Sequence, residues 1–133
     1  MADVPLVVFP DAEAVTIAHL RSVLDTSVMV DSEWPEHLAD SLPVVSVSRG
    51  GGATRLAAVT DEATLDIDVL AATKAEAHDL AQLVRAHLVA TQGRVIPGAR
   101  VYSVDDTSFI WLPDETTGIP RYVLVMSMLL RPV

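Results

Sequence analysis

Two aspartates one residue apart, Asp66 and Asp68, have the spacing in this sequence that most resembles a catalytic pair. On an extended strand alternate side chains share a face, which sets the two carboxyls about 7 Å apart. Glycosidase acids can have that separation. The pair alternates, however, with Leu65, Ile67, Val69 and Ala71. That is the pattern of a strand with one buried and one mostly wet face. No aromatic residue flanks the pair to stack a sugar, so a solvated strand face accounts for it without chemistry.

The four histidines, His19, His37, His78 and His87, form no ligand pattern. His78 and His87, nine positions apart on one helical segment, fall on roughly opposite faces at 3.6 residues per turn. There is no HExxH and no histidine pair at i, i+4, so solvated helix histidines are expected and no metal site. The absence of cysteine excludes a thiolate metal site, a thiol nucleophile and a disulfide scaffold. Ser48 lacks the G-x-S-x-G elbow of a serine nucleophile. Gly50-Gly51-Gly52 lacks the Lys-Ser/Thr of a phosphate-binding loop, and no helix follows it. No catalytic residue, metal or cofactor is expected, and the chain reads as a non-enzyme.

The bulk properties agree with a packed domain. The chain has 133 residues, 50% of them apolar, a mean hydropathy of +0.38 and a net charge of −9. One domain over residues 1–133 is expected, burying about two-thirds of its unfolded surface. The apolar content excludes the disordered class. The longest apolar stretch, Tyr122 to Leu130, falls well short of the ~20 residues a membrane helix needs, so a soluble chain without a membrane partner is expected. Asp3, Pro5 and Pro10 without a basic region give no secretory signal. Eighteen acids against nine bases make free DNA a poor ligand.

Two helices are expected. One opens at the N-cap acid Asp11 and ends near Asp25 to Ser27. The other opens with the capping box Thr73-Lys74-Ala75-Glu76, buries Ala77, Leu80, Ala81, Val84 and Leu88, and closes near Gly93. Strands are expected at Val44–Arg49 and Thr54–Val59, joined by Gly50–Gly52 as a flexible hairpin tip. Further strands are Thr64–Ala71, Ala99–Val104, Thr107–Leu112 after an Asp105-Asp106 turn, and Arg121–Arg131. In the last, both faces are mostly apolar, which predicts a central or doubly covered strand. Two loops stand out, Glu33–Ser41 with Trp34, and Pro113–Pro120. The expected fold is α+β, a single antiparallel or mixed sheet with two helices packed on one face. Trp34 reads as the plug of a small satellite core; Trp111 reads equally as a plug or as an interface anchor.

The segments FPDAEAVTIAHLRSVL (Phe9 to Leu24) and TGIPRYVLVMSMLLRP (Thr117 to Pro132) resemble tail terminator proteins of long-tailed phages that infect actinobacteria. LPVVSVSRGGG, the alternating strand and the capped helix extend the resemblance in element order over nearly the whole chain. The resemblance implies a structural protein of the virion tail at the head–tail interface, assembled in the host cytoplasm. It implies a homo-oligomeric ring, typically a hexamer, that caps the tail tube and stops its polymerisation. Its partners would be the tail tube protein and the head-side connector or stopper, with DNA only as passing cargo. Gly50, Gly51 and Gly52, and Asp114, Thr117 and Gly118, match loop positions and are candidate protein contacts together with Trp111. In such a ring Asp66 and Asp68 would line the lumen, repelling phosphate, or meet Arg49 or Arg55 at a subunit seam. Another head–tail neck component, or a small cytoplasmic ligand-binding module of α+β fold, are the alternatives.

Overall fold

The computed structural model describes residues 6–55 and 60–133, with the backbone alone at 53–55. In chain order the elements are α1 Ala12–Val23, β1 Met29–Asp31, α2 Leu38–Ser41, β2 Val44–Arg55, β3 Thr60–Leu70, α3 Lys74–Val89, β4 Val95–Ile96, β5 Ala99–Trp111 and β6 Arg121–Arg131. The strands form one curled, six-stranded sheet in the order β1-β2-β3-β6-β5-β4. β1 runs parallel to β2, and the other neighbours are antiparallel. The fold is α+β with a mixed sheet.

Helix starts lie where the capping chemistry puts them. Asp11 accepts a hydrogen bond from the Ala14 amide at 3.1 Å, and Thr73 accepts one from the Glu76 amide at 3.2 Å. Each satisfies an amide that the first helical turn would leave unpaired. α3 ends at Val89, and Gly93 follows in the left-handed region with φ +78°. The Gly93 amide donates to the Val101 carbonyl at 2.9 Å, so this glycine turns the chain into β4 rather than closing the helix itself.

Alternation along the central strands builds the core. Leu65, Ile67 and Val69 of β3 and Leu124, Met126, Met128 and Leu130 of β6 are fully buried, in one cluster with Val45 and Val47 of β2. Val15, Ile17 and Leu20 of α1 and Ala77, Ala81, Val84 and Leu88 of α3 belong to the same cluster. We call this the inner face of the sheet. A second, smaller cluster joins Leu38 of α2 to Val44, Leu70 and Ile119, with Trp34 and Leu42 packed against it.

Several expected boundaries are corrected. The Gly50–Gly52 triplet is not a hairpin tip but part of β2, which continues through it to Arg55. Thr54 and Arg55 therefore extend the same strand instead of returning, and residues 56–59 of the expected second strand lie outside the described residues. β3 begins at Thr60, earlier than the alternation from Thr64 indicates. The Asp105-Asp106 turn does not exist; both residues lie within the continuous β5. Register shifts at Val101/Ser103 and at Asp106/Ser108 break its alternation, so inward residues run Ala99, Val101, then Val104, then Phe109 and Trp111. Each bulge inserts a residue and flips the following side chains to the other face. A third helix, α2, occupies the loop around His37.

β6 is central, between β3 and β5, but its two faces differ. Residues 122, 124, 126, 128 and 130 are buried, whereas the alternate set is half-buried. We therefore predict that Leu124→Asp unfolds the protein, since a buried unpaired carboxylate costs more than about 4 kcal/mol. Val125→Asp, on the open face, costs about 1 kcal/mol or less. Thermal melting of the two variants checks this; equal destabilisation would contradict the one-sided burial.

Candidate functional site

The outer face of the sheet is the broad surface left once the inner face has been buried. Asp66 lies opposite Val125 and Thr64 opposite Ser127, while Ser108 lies opposite Val125 and Ile110 opposite Val123. The Thr64 and Ser127 hydroxyls are 3.5 Å apart. Ile110 and Leu112 are exposed, by 52% and 46%. This face therefore presents an apolar centre bordered by hydroxyls and carboxylates over several strands.

One end of this face is covered by the segment between β1 and β2. The Trp34 indole Nε1 donates to Ser46 Oγ at 3.1 Å and to Asp68 Oδ2 at 3.2 Å. The Arg121 guanidinium stands 5.4 Å from the Trp34 ring centroid. Trp34 is thus the plug expected from the sequence, set against the smaller cluster. Burial beneath this cover pushes the Asp68 carboxyl above its ordinary pKa, with Arg121 and the bonds from Trp34 and Ser46 pulling the other way. Asp66 and Asp68 share a face but not an environment.

Asp66 instead explains Gly50, because its carboxylate occupies the space where a Cβ at residue 50 would stand. The register of β2 against β3 shifts between Arg49 and Gly51, a bulge. Gly52 has φ +116°, and a Cβ there would meet the Glu62 carbonyl. The bulge lets Arg49 fold back over the strand. Its Nε donates to the Gly51 carbonyl at 2.9 Å, and its two terminal nitrogens reach Asp61 at 2.6 and 2.8 Å. Asp61 is buried and holds the Arg49 guanidinium above its ordinary pKa. Arg49 is therefore committed within the chain and is not free to answer Asp66 or Asp68; the Arg55 side chain lies outside the described residues.

The remaining candidate contacts are half-buried at Trp111 and Asp114 and exposed at Thr117 and Gly118. Trp111 is packed against the core, its ring centroid 5.2 Å from that of Tyr122 and 4.6 Å from Lys74 Nζ. The Pro113–Pro120 segment is a closed turn. Asp114 Oδ2 accepts from the Thr117 amide at 3.0 Å and from its hydroxyl at 2.6 Å, and the Gly118 amide donates to the Asp114 carbonyl at 2.8 Å. Those bonds hold the Asp114 carboxyl below its ordinary pKa. Gly118, at φ +71°, completes the turn, and Thr117 and Gly118 are exposed at its tip.

The histidines are more engaged than solvated helix residues would be. His78 meets Phe109 and Tyr122 edge-on, at 5.8 and 5.5 Å between centroids. His19 faces His87 between α1 and α3, and burial, reinforced by His87, lowers its pKa. Among the described residues no group of three or more histidines and carboxylates could hold a metal ion. No helix there is long and apolar enough to cross a membrane, which says nothing of membrane strands.

This architecture has a counterpart in a viral-type particle. A chain from a structure described as the virion of a native gene transfer agent particle matches with a TM-score of 0.67 over 90% of this chain and 94% of that chain. The identity is 19%, so the likeness is one of fold. No curated protein matches the chain in sequence. The family model of the phage tail termination protein matches residues 8–117, and the chain belongs to that family. Its role is structural, as a tail terminator, and its place is the tail of the virion.

Two predictions follow from the covered end and from the bulge. Trp34→Phe removes the donor shared by Ser46 and Asp68 and should cost about 1–3 kcal/mol. Asp68→Asn keeps an acceptor for the indole while removing a half-buried charge, so it should melt at or above the wild-type temperature at pH 7. A large loss of stability in Asp68→Asn would show that the charge itself holds this end together. At the bulge, Gly52→Ala should cost about 1–3 kcal/mol through backbone strain and the Glu62 carbonyl. Gly51→Ala, which meets nothing within 4 Å, should change stability by about 0.5 kcal/mol or less. Denaturant titration of both variants provides the check.

Proposed function

We propose that copies of this chain, each folded as one domain with α1 and α3 packed on the inner face, assemble into a ring, a hexamer, at the end of the tail tube. The ring stops tube polymerisation and presents a joining surface to the head-side connector or stopper. The family match over residues 8–117 is the observation that carries this reading. The geometry supports it in two further ways. The outer face is broad and uncovered at its centre, as a surface awaiting a protein partner would be. The Asp114–Ile119 turn is braced by its own hydrogen bonds and reaches solvent at Thr117 and Gly118, so it can meet a partner with little ordering cost.

In such a ring Asp66 and Asp68 belong at the lumen or its rim, with DNA as passing cargo repelled by like charge. Of the two, Asp66 supplies the open charge, because Asp68 is covered by Trp34. The reading is tested by polymerising purified tail tube protein with and without this chain. We expect tubes that stop growing once it is added, with ring-shaped density at one end in negative-stain images. Tubes that keep growing with bare ends would overturn the capping role.

A further inference from the structure

We infer that copies of this chain join by strand donation, the segment Leu6–Phe9 of one adding to the open edge of β5 in the next. The inference rests on the ring reading above and names the contact between neighbouring copies. Leu6-Val7-Val8-Phe9 is an uncharged apolar run rich in strand-favouring residues. Pro5 and Pro10 bound it, and prolines are tolerated at strand ends. Lying ahead of α1, it belongs to no element. Leu6 is 93% and Val8 77% exposed, whereas Val7 and Phe9 are half-buried, which is the alternation of a strand. Its backbone makes no hydrogen bond among the described residues. It is a strand without a sheet.

The matching edge is on β5. β4 pairs with Ala99 and Arg100 alone, and β5 runs on to Trp111 with only β6 paired to it among the described residues. The first part of this edge is closed by the chain itself. Val101 exchanges bonds with Gly93 and Arg94 at 2.9 and 2.8 Å, and the Val104 amide donates to Gln92 Oε1 at 3.0 Å. Arg85 reaches Asp106 at 3.1 Å, beside the bulge. Beyond the bulge, Ser108–Trp111 is regular and unclosed. The Leu112 amide donates to the Arg121 carbonyl, so by antiparallel alternation the backbone groups of Phe109 and Trp111 point away from β6. The side chains here are apolar on both faces. Phe109 and Trp111 pack on the core, and Ile110 is 52% exposed on the other side. A strand that is itself apolar on both faces fits beside them. It comes from another copy, because Leu6–Phe9 cannot reach the open edge of its own chain. Val8 and Pro10 line one groove with Gly98, at the start of β5. From Ala99 to Phe109 the strand extends about 30 Å, whereas a four-residue segment spans at most about 14 Å. Donor and acceptor are different patches, so the contact is heterologous, and repeated with rotation it closes into a ring.

The chain has no cysteine, so single introduced ones report neighbours cleanly. Leu6→Cys and Ile110→Cys change exposed side chains, and both variants should melt as wild type does. The two are mixed in equal amounts, assembled on tube ends and treated with a short bismaleimide. We expect covalent dimers in which peptide mapping finds residue 6 of one chain joined to residue 110 of another. Leu6→Cys mixed with Thr26→Cys, an exposed site beside β1, should give no such link. In wild-type protein, hydrogen exchange at the Phe109 and Trp111 amides and within Leu6–Phe9 should slow about tenfold or more on assembly. Rings in which those amides exchange as in free protein, or in which residue 6 links to residue 26 as readily as to residue 110, would overturn the donated strand and leave the ring standing. A link from residue 6 to the tube protein in place of residue 110 would overturn it as well. If wild-type protein forms no ring on tube ends and the variants no linked pair, the ring reading itself fails and the donated strand with it.

Discussion

The position of β6 is the constraint on which the rest of the structure depends. Between β3 and β5 its backbone is paired on both sides, so nothing about its register can slip without breaking two ladders. Its inward residues, Tyr122, Leu124, Met126, Met128 and Leu130, each meet a buried residue of a neighbouring strand or helix. The two methionines suit a surface where side chains from strands and helices converge at unequal distances, because the unbranched thioether adapts its shape. Thr16 of α1 donates to the Met128 sulfur at 3.7 Å, satisfying a hydroxyl that is fully buried at the helix–sheet seam. With the centre fixed in this way, the sheet can end in very short edges: β1 has three residues and β4 two. Short edges offer little backbone for unwanted pairing.

How much of this was legible in the sequence depended on whether the determining forces were local. The start of α3 was clear because a capping box is a contact between residues three apart, and the interior of β3 was clear because one face is wet. In the sequence β5 reads as two strands because its bulges shift the alternation twice, and a bulge is stabilised by its neighbours rather than by its own residues. The glycine triplet misled for a related reason. Glycine has the same permissiveness in a hairpin tip and in a bulge. What decides here is the Asp66 carboxylate against Gly50 and the bidentate Arg49–Asp61 pair, both formed only after β2 and β3 have met. β1 and β4 are too short to carry a periodicity at all, and the parallel pairing of β1 leaves no turn signal.

The candidate surfaces were legible in part. Alternation alone put Asp66 and Asp68 on one face, and that holds through the whole of β3. It could not distinguish them, because the group that covers Asp68 is an indole 34 residues away in sequence. Trp34 itself was legible as a plug, since a lone tryptophan in a polar loop has few other uses in a chain so poor in aromatics. Trp111 was not, since its burial depends on Tyr122 and Lys74 from two other elements. Membership of the phage tail termination family could be suspected from the flanking segments, although none of its motifs carries chemistry.

The basic residues show how an acidic chain of this size keeps its surfaces distinct. Eight of the nine bases are arginine, and most of them are committed within the fold. Arg49 holds Asp61 in a fork, and Arg85 spans Gln82, Asp106 and the Phe109 ring. Arg121 covers Trp34 while donating to the Leu112 carbonyl. A guanidinium can do this because it is planar and weakly hydrated, stacking on a ring with one face while its edge donates. A lysine ammonium at the same positions would keep its water and make fewer bonds. Arg49 and Arg85 each pair with one acid in this way, out of eighteen in the chain. Among the described residues Arg94 and Arg100, beside β4, take part in no ion pair and are left to solvent.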